Sequence, residues 1–238
     1  MALTPQNNEA FAREVDDELR RDRLMGFWER WGKLTVALAI LLVAAFGGWM
    51  YWQHRQTQAA GEQGERFAGA LEDLGANGKA KAAPVLASLA KDGTPGYRAM
   101  AKMTQADVAL AGNDLSGAAR LFGEIAADAD VPQPIRDLAI IRQTTAQFDS
   151  LPPAQVIARL KALAVPGHAF FGSAGELSAA AHLRSGQTRE AGALYAAIAQ
   201  DEGVPESLRS RSVQMAGVLG VDAVDQNMVG PSEDAQKQ

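Results

Sequence analysis

Cysteine is absent from this chain of 238 residues, and its absence removes three kinds of chemistry at once. Without a thiol there is no disulfide framework, no thiol nucleophile and no cysteine-based zinc site. The absence leaves the compartment open, because a chain without cysteine suits an oxidising periplasm and a reducing cytosol equally.

An excess of basic residues is also missing, and aromatic residues are scarce. The formal net charge is -5, whereas nucleic-acid binding needs a concentrated basic face. Aromatic residues make up only 6% of the chain, which is otherwise rich in alanine. Because alanine has the highest helix propensity and a small side chain, this composition favours closely packed helices.

What the chain does have is one long apolar run, from Leu34 to Trp52, that contains no charged residue. About 19 residues of helix span roughly 28 Å, which matches the hydrocarbon core of a bilayer. Aromatic rings at both ends suit the two membrane interfaces. We predict a transmembrane helix over residues 34–52, with these anchor and interface residues: Trp28, Trp31, Leu34, Leu41, Trp49, Tyr51 and Trp52.

Two other interpretations of the run are weaker. A helix in the core of a soluble domain would normally show a polar face. A cleaved signal peptide has a short basic start and a shorter apolar region, whereas about 33 residues with charges of both signs precede this run. A retained signal anchor is therefore the preferred interpretation.

Lysine and arginine residues near the run predict its orientation. Five precede it (Arg20, Arg21, Arg23, Arg30 and Lys33), whereas two, Arg55 and Arg66, follow it at a similar distance. This bias predicts a cytoplasmic N-terminus and a C-terminal domain outside the cytoplasm. In a bacterium, the chain would then lie in the inner membrane with its larger part in the periplasm.

The remainder of the chain repeats itself. Four apolar-alanine pairs end four predicted helical segments, and subtraction of their residue numbers gives spacings of 36, 38 and 35 residues. These spacings lie near the 34-residue period of tetratricopeptide repeats. The pairs are Leu89-Ala90, Ile125-Ala126, Leu163-Ala164 and Ile198-Ala199.

The second and fourth units align best, at an offset of 73 positions. A small residue is predicted where the two helices of a hairpin nearly touch, and an aromatic one turn later fills the space between hairpins. A proline then ends one hairpin and starts the next helix. The predicted repeat-packing residues are Ala118, Phe122, Pro132, Ala191, Tyr195 and Pro205.

These patterns predict an all-α chain in which one N-terminal transmembrane helix precedes a tetratricopeptide-like α-solenoid of helical hairpins. The Trp, Leu-Gly and Tyr of the first repeat helix are not clearly present, so an unrelated helical bundle stays open. The expected segments are a cytoplasmic helix (1–33), the membrane helix (34–52), a helical connector (53–78), the repeat domain (79–220) and a disordered tail (221–238).

No pattern in the sequence predicts catalysis or a cofactor. His54, His168 and His182 form no metal-ligand motif, and residues 75–79 are expected to be a turn rather than a phosphate loop. Ser173 lacks the leading glycine and the preceding strand of a nucleophile elbow. We therefore expect neither an enzyme nor a metal or small-molecule site; partners should be proteins and, through one spanning helix, membrane lipid.

The order of these features resembles the YfgM-like family of ancillary subunits of the bacterial SecYEG translocon. The resemblance covers nearly the whole chain except about the last fifteen residues, and order and spacing are its specific part. It rests on residues 14–24 (EVDDELRRDRL), 27–28 and 31–33 before the apolar run, on 47–49 and 51–53 at its end, and on the degenerate repeats.

The resemblance implies a periplasmic repeat domain that associates with the translocon and with periplasmic chaperones or exported client proteins. It implies no catalytic residue. A scaffold for envelope assembly or cell division, with repeats in the periplasm, is the alternative that the residues alone do not separate from it.

Overall fold

The computed structural model describes the backbone of residues 6–223 and the side chains of residues 31–223. Within these residues the chain forms nine helices and no strand, which confirms the all-α prediction. The helices are α1 (Gln6–Gly75), α2 (Lys79–Asp92), α3 (Pro95–Ala111), α4 (Leu115–Ala127), α5 (Gln133–Ala146), α6 (Pro153–Leu160), α7 (Phe171–Arg184), α8 (Thr188–Gln200) and α9 (Glu206–Val218).

Contacts divide the chain into two compact units, Met1–Glu62 and Gln63–Gln238. Helix α1 is continuous through the expected N-terminal helix, the apolar run and most of the expected connector. The boundary between the units therefore falls inside that connector rather than at residue 79. The last part of α1, from Gln63 onward, belongs to the repeat unit.

Within the first unit, the apolar run is exposed along its length. An 18-residue stretch of α1, within residues 31–75, has a mean hydropathy of 2.0, and none of that stretch is buried. Among the residues that the structure describes, one helix, near the N-terminus, is thus long and apolar enough to cross a membrane. A water-exposed surface of this size and apolarity would be strongly unfavourable in a soluble domain.

Within the second unit, the helices pair because the short turns between them contain a residue in the left-handed backbone region. Asn77, Asn113 and Gly186, which separate α1 from α2, α3 from α4 and α7 from α8, have φ values of 61°, 61° and 75°. Glycine and asparagine adopt this conformation at the lowest cost. Two further glycines share this conformation: Gly167, between α6 and α7, has a φ of 82°, and Gly220, after α9, has a φ of 78°.

The resulting hairpins are the end of α1 with α2, α3 with α4, α5 with α6, and α7 with α8; α9 follows alone. Their core is a row of four apolar clusters. Each of α3, α5 and α7 contributes buried residues to the clusters on both of its sides. Each hairpin is therefore stabilised by its neighbours as well as by its own packing, as in other solenoids.

The third hairpin is the least regular. Its second helix, α6, has only eight residues, and residues 161–170 form turns before α7 begins. Asp201, at the end of α8, accepts a hydrogen bond of 3.1 Å from the backbone N–H of Gly167. This bond ties the long connection to the following hairpin.

The first residues of the expected disordered tail, 221–223, pack against the repeat unit. Ala223 is buried in the last apolar cluster, and Val221 packs against it. A Cβ on Gly192 would lie only 2.7 Å from a methyl carbon of Val221, so this glycine lets the segment approach α8 closely. Residues 224–238, the rest of the expected tail, lie outside the described residues.

Candidate protein-binding surface

The first helices of the hairpins lie together on one side of the repeat unit. Helix α3 contacts α5, α5 contacts α7 and α7 contacts α9. Among the described residues, no contact joins the second helices α4, α6 and α8 to one another. Because neighbours lie closer on the inside of a curved stack, α3, α5, α7 and α9 line its concave side, here called the inner face.

Charges alternate in sign across the inner face. Asp107, Arg142, Glu176 and Arg211 lie on α3, α5, α7 and α9 respectively, at spacings of 35, 34 and 35 residues by subtraction. Arg142 pairs with Asp107, and Arg211 pairs with Glu176. The first ion pair therefore joins the first helices of two successive hairpins, and the second joins the first helix of the last hairpin to α9.

An aromatic ring packs beneath the first of these pairs. The guanidinium carbon of Arg142 lies 5.1 Å from the centre of the Phe122 ring, a cation–π distance. Phe122 is fully buried in the cluster formed by α3, α4 and α5. Phe122, on the second helix of its hairpin, thus packs against Arg142, whose ion pair joins α3 to α5 on the inner face.

The second pair has an equivalent arrangement. Tyr195, 73 positions after Phe122, is buried, and burial raises the pKa of its hydroxyl, with the nearby Glu176 carboxylate adding to the effect. Two hydrogen bonds from Arg211 to Glu176, and the charge of that carboxylate, raise the pKa of the Arg211 guanidinium. An acid, an arginine and an aromatic therefore recur together in two repeats.

The two helices that carry the first ion pair, α3 and α5, also expose apolar side chains. Met100 on α3 is 44% exposed and Leu138 on α5 is 36% exposed. Methionine adapts its shape to different partners, and an isolated aliphatic side chain gains from burial. With its charges already paired, the surface is suited to bind a protein segment through apolar contacts rather than through charge.

Within hairpins, further ion pairs join first to second helices. Lys102 on α3 lies 2.9 Å from Glu124 on α4. The hydrogen bond from Lys102 is the main cause of the lowered pKa of Glu124. Arg98 lies 2.8 Å from Asp128, at the end of α4; burial alone would raise the pKa of Asp128, but the Arg98 hydrogen bond helps to lower it.

The structure places the predicted anchor residues along α1. Trp28 lies in the part of α1 whose side chains are not described. The other six are all more than half exposed: Trp31, Leu34, Leu41, Trp49, Tyr51 and Trp52. Arg55 donates a hydrogen bond of 3.2 Å to the Tyr51 hydroxyl and stacks against its ring. Such a pair suits the polar end of a membrane helix.

The six predicted packing residues lie at equivalent places in their two hairpins. Ala118 and Ala191 are completely buried, as is Phe122, and Tyr195 is 4% exposed. Pro132 and Pro205 are the residues immediately before α5 and α9, with φ near -54° and ψ near 140°. Each proline is therefore the residue just before its helix and not the first residue of the helix.

Sequence reasoning missed the ion pairs of the inner face. Their only signal was that Asp107 and Arg142, like Glu176 and Arg211, are one repeat period apart. It also missed Asp128 and Asp201, which are 73 positions apart. Asp128 binds Arg98 near the start of α3, and Asp201 binds the backbone of Gly167 in the connection before α7.

The histidines have ordinary surroundings. His168 accepts a hydrogen bond of 3.1 Å from the backbone of Phe170 and lies 3.8 Å from Asp137. His182 is 2.6 Å from the side chain of Gln187. In the part of the chain that the structure describes, no group of histidine and acidic residues is placed to hold a metal ion.

Stacked helical hairpins with a shared row of first helices define an α-solenoid repeat protein. The model of one family, the tetratricopeptide repeat-like domain, matches residues 25–216. The chain belongs to this family, whose repeat domains typically bind proteins rather than catalyse reactions. No curated protein and no solved structure matches the chain.

Proposed function

We propose that the chain is a single-pass membrane protein that binds other proteins through the inner face of its repeats. One observation carries the proposal: Met100 and Leu138 are exposed on α3 and α5, first helices whose charges Asp107 and Arg142 are already paired with each other. The exposed apolar run of α1 supports attachment to a membrane.

We infer the orientation from the five basic residues before the apolar run and the two after it. The N-terminus would lie in the cytoplasm and the repeats outside it, in the periplasm of a bacterium. A reporter that is active only in the periplasm, fused to the C-terminus, should therefore be active. Activity of a cytoplasm-specific reporter in its place would reverse the assignment.

We further propose that the anchor associates with the Sec translocon while the repeats recruit periplasmic chaperones or exported client proteins. The support is the resemblance of residues 14–53 to the ancillary translocon subunits, together with the repeat fold. Attachment beside the translocon would raise the local concentration of the repeats near emerging clients, without requiring a tight contact.

A pull-down tests this assignment. The full chain in detergent is compared with residues 56–238, which keep the whole second unit because that unit begins at Gln63. The translocon should co-purify with the full chain and be lost from the shorter one, whereas soluble partners should remain with both. Equal recovery of the translocon with both would show that the anchor is not the docking element.

The alternative function is a scaffold for envelope assembly or cell division, which the same binding surface would also serve. It differs in its expected location. A fluorescent fusion of a translocon partner should be distributed around the envelope, whereas a division scaffold should concentrate at the septum.

A further inference from the structure

The first hairpin contains a pocket that lies apart from the residues of the inner face described above. It has a volume of about 110 Å³ and is open to solvent on one side. Its lining comes from the end of α1, the first half of α2 and the second half of α3. The lining residues are Leu74, Lys79, Ala83, Leu86, Gln105 and Val108.

The walls of this first-hairpin pocket are mostly aliphatic. Leu86 is almost completely buried, so it forms the floor, and Leu74 and Val108 are half-buried. An apolar cavity of about 150 Å³ is large enough to hold benzene. A pocket of about 110 Å³ is therefore suited to one aliphatic side chain.

One basic residue, Lys79, stands at the rim of the pocket. Lys79 lines it and, among the described residues, has no carboxylate partner. The first turn of α2 contains no acidic residue, whereas the first turn of α8 contains Glu190. A ligand that brings a negative charge to the rim would therefore give Lys79 a partner that the described part of the chain does not supply.

A cavity in the next repeat does not share this chemistry. That cavity is lined by Leu115 and Ser116, at the start of α4, and mainly by polar residues at the end of α5 and after it, such as Thr145. It has a volume of about 460 Å³ and includes Asp149 but no lysine. The apolar floor and the basic rim occur together only in the first of these two cavities.

We propose that the first-hairpin pocket binds an aliphatic side chain flanked by acidic residues in an extended segment of a partner protein. The aliphatic group occupies the space above Leu86, and a neighbouring carboxylate pairs with Lys79. This inference rests on the proposed function only in that the partner is a protein. It assigns to the repeat unit a second site for contact with a partner protein, separate from Met100 and Leu138.

Methyl NMR of the full chain in detergent micelles tests the proposal. The probe is a capped peptide of sequence Ser-Asp-Leu-Asp-Ser, and it should shift the methyl signals of Leu74, Leu86 and Val108. Replacing the peptide leucine with alanine should weaken binding about tenfold or more, because most of the buried aliphatic surface is lost. A Ser-Lys-Leu-Lys-Ser peptide should leave the signals in place, because it brings like charges to Lys79.

Variants of exposed residues in α2 provide matched controls. Lys79→Glu should abolish the shifts, whereas Lys81→Glu, which changes the same charge outside the pocket, should retain them. Ala83→Leu should fill the pocket and block the peptide, whereas Ala80→Leu should not. Helical circular dichroism checks that each variant is folded.

The outcomes separate this inference from the function on which it rests. If the acidic peptide leaves all three methyl signals unchanged, or if the basic peptide binds equally well, the inference is wrong. If Lys79→Glu loses the peptide but a pull-down with the unaltered chain captures no protein, the pocket binds as inferred and the proposed function fails. If Lys79→Glu still binds the peptide, Lys79 is not its partner and the inference is overturned.

Discussion

Arg211 on α9 binds Glu176 on α7 through two hydrogen bonds, each 2.6 Å long, that join the first helix of the last hairpin to the helix that follows that hairpin. The two residues are 35 positions apart, as are Asp107 and Arg142 in the preceding pair. A bond with this spacing links equivalent places in neighbouring repeats. The inner face is thus held together by contacts that the hairpins could not make alone.

Loss of the Arg211–Glu176 ion pair should lower the stability of the repeat unit slightly. Arg211→Gln should lower the free energy of unfolding by about 0.5–1 kcal/mol, because the pair is bidentate but partly exposed. Arg189→Gln, which removes an exposed arginine of α8 with no described ion pair, should have almost no effect. A double-mutant cycle with Glu176→Gln measures the coupling, and additive losses would contradict the role given to the pair.

Truncation of Phe122 should be far more costly. Phe122→Ala leaves a cavity in the cluster that α3, α4 and α5 share, so the free energy of unfolding should fall by about 3–5 kcal/mol. Leu115→Ala, at a residue that is 49% exposed, should cost less than about 0.5 kcal/mol. Chemical denaturation followed by circular dichroism compares the two, and similar losses would argue against Phe122 as a packing centre.

The two helices of the last hairpin should not tolerate a larger side chain between them. Ala191→Leu adds volume at a completely buried position and should cost about 1–3 kcal/mol of stability. Ala193→Leu, two residues further along α8 and exposed, should be close to neutral. Thermal unfolding of the two variants distinguishes a packing constraint at Ala191 from a general effect of leucine on the helix.

The ion pair between Lys102 and Glu124 should make the stability of the folded chain depend on pH in the acidic range. Because the pKa of Glu124 is lowered in the folded chain, its contribution is present above the ordinary value of 4.5 and is lost as pH falls through the folded value. Lys102→Met removes the main cause of the lowered pKa. The variant should therefore lose less stability than the unaltered chain below pH 4.5, as measured by thermal unfolding across pH.

The regular features of the sequence predicted most of the fold. The uncharged run from Leu34 to Trp52 and the 73-residue offset between Phe122 and Tyr195 are local or periodic signals. Left-handed turns after the first helices, at Asn113 and Gly186, follow from glycine and asparagine. Each of these signals depends on a few residues that are close in the chain, so it can be identified without a structure.

Other features depended on packing between distant residues. The end of α1 serves as the first helix of the first hairpin because Phe67 and Ala70 pack against α2 and α3, which no motif in the expected connector indicated. The pairing of Asp107 with Arg142 likewise depends on how closely α3 and α5 approach. The first-hairpin pocket required three helix segments to be placed together.

Site-specific photo-crosslinking in cells tests most directly whether the inner face binds proteins. A photoreactive residue placed at Leu138, on the inner face, should yield crosslinks to partner proteins. The same residue at Arg189, exposed on a second helix, should yield few. Crosslinks that form from position 189 and not from position 138 would contradict the account.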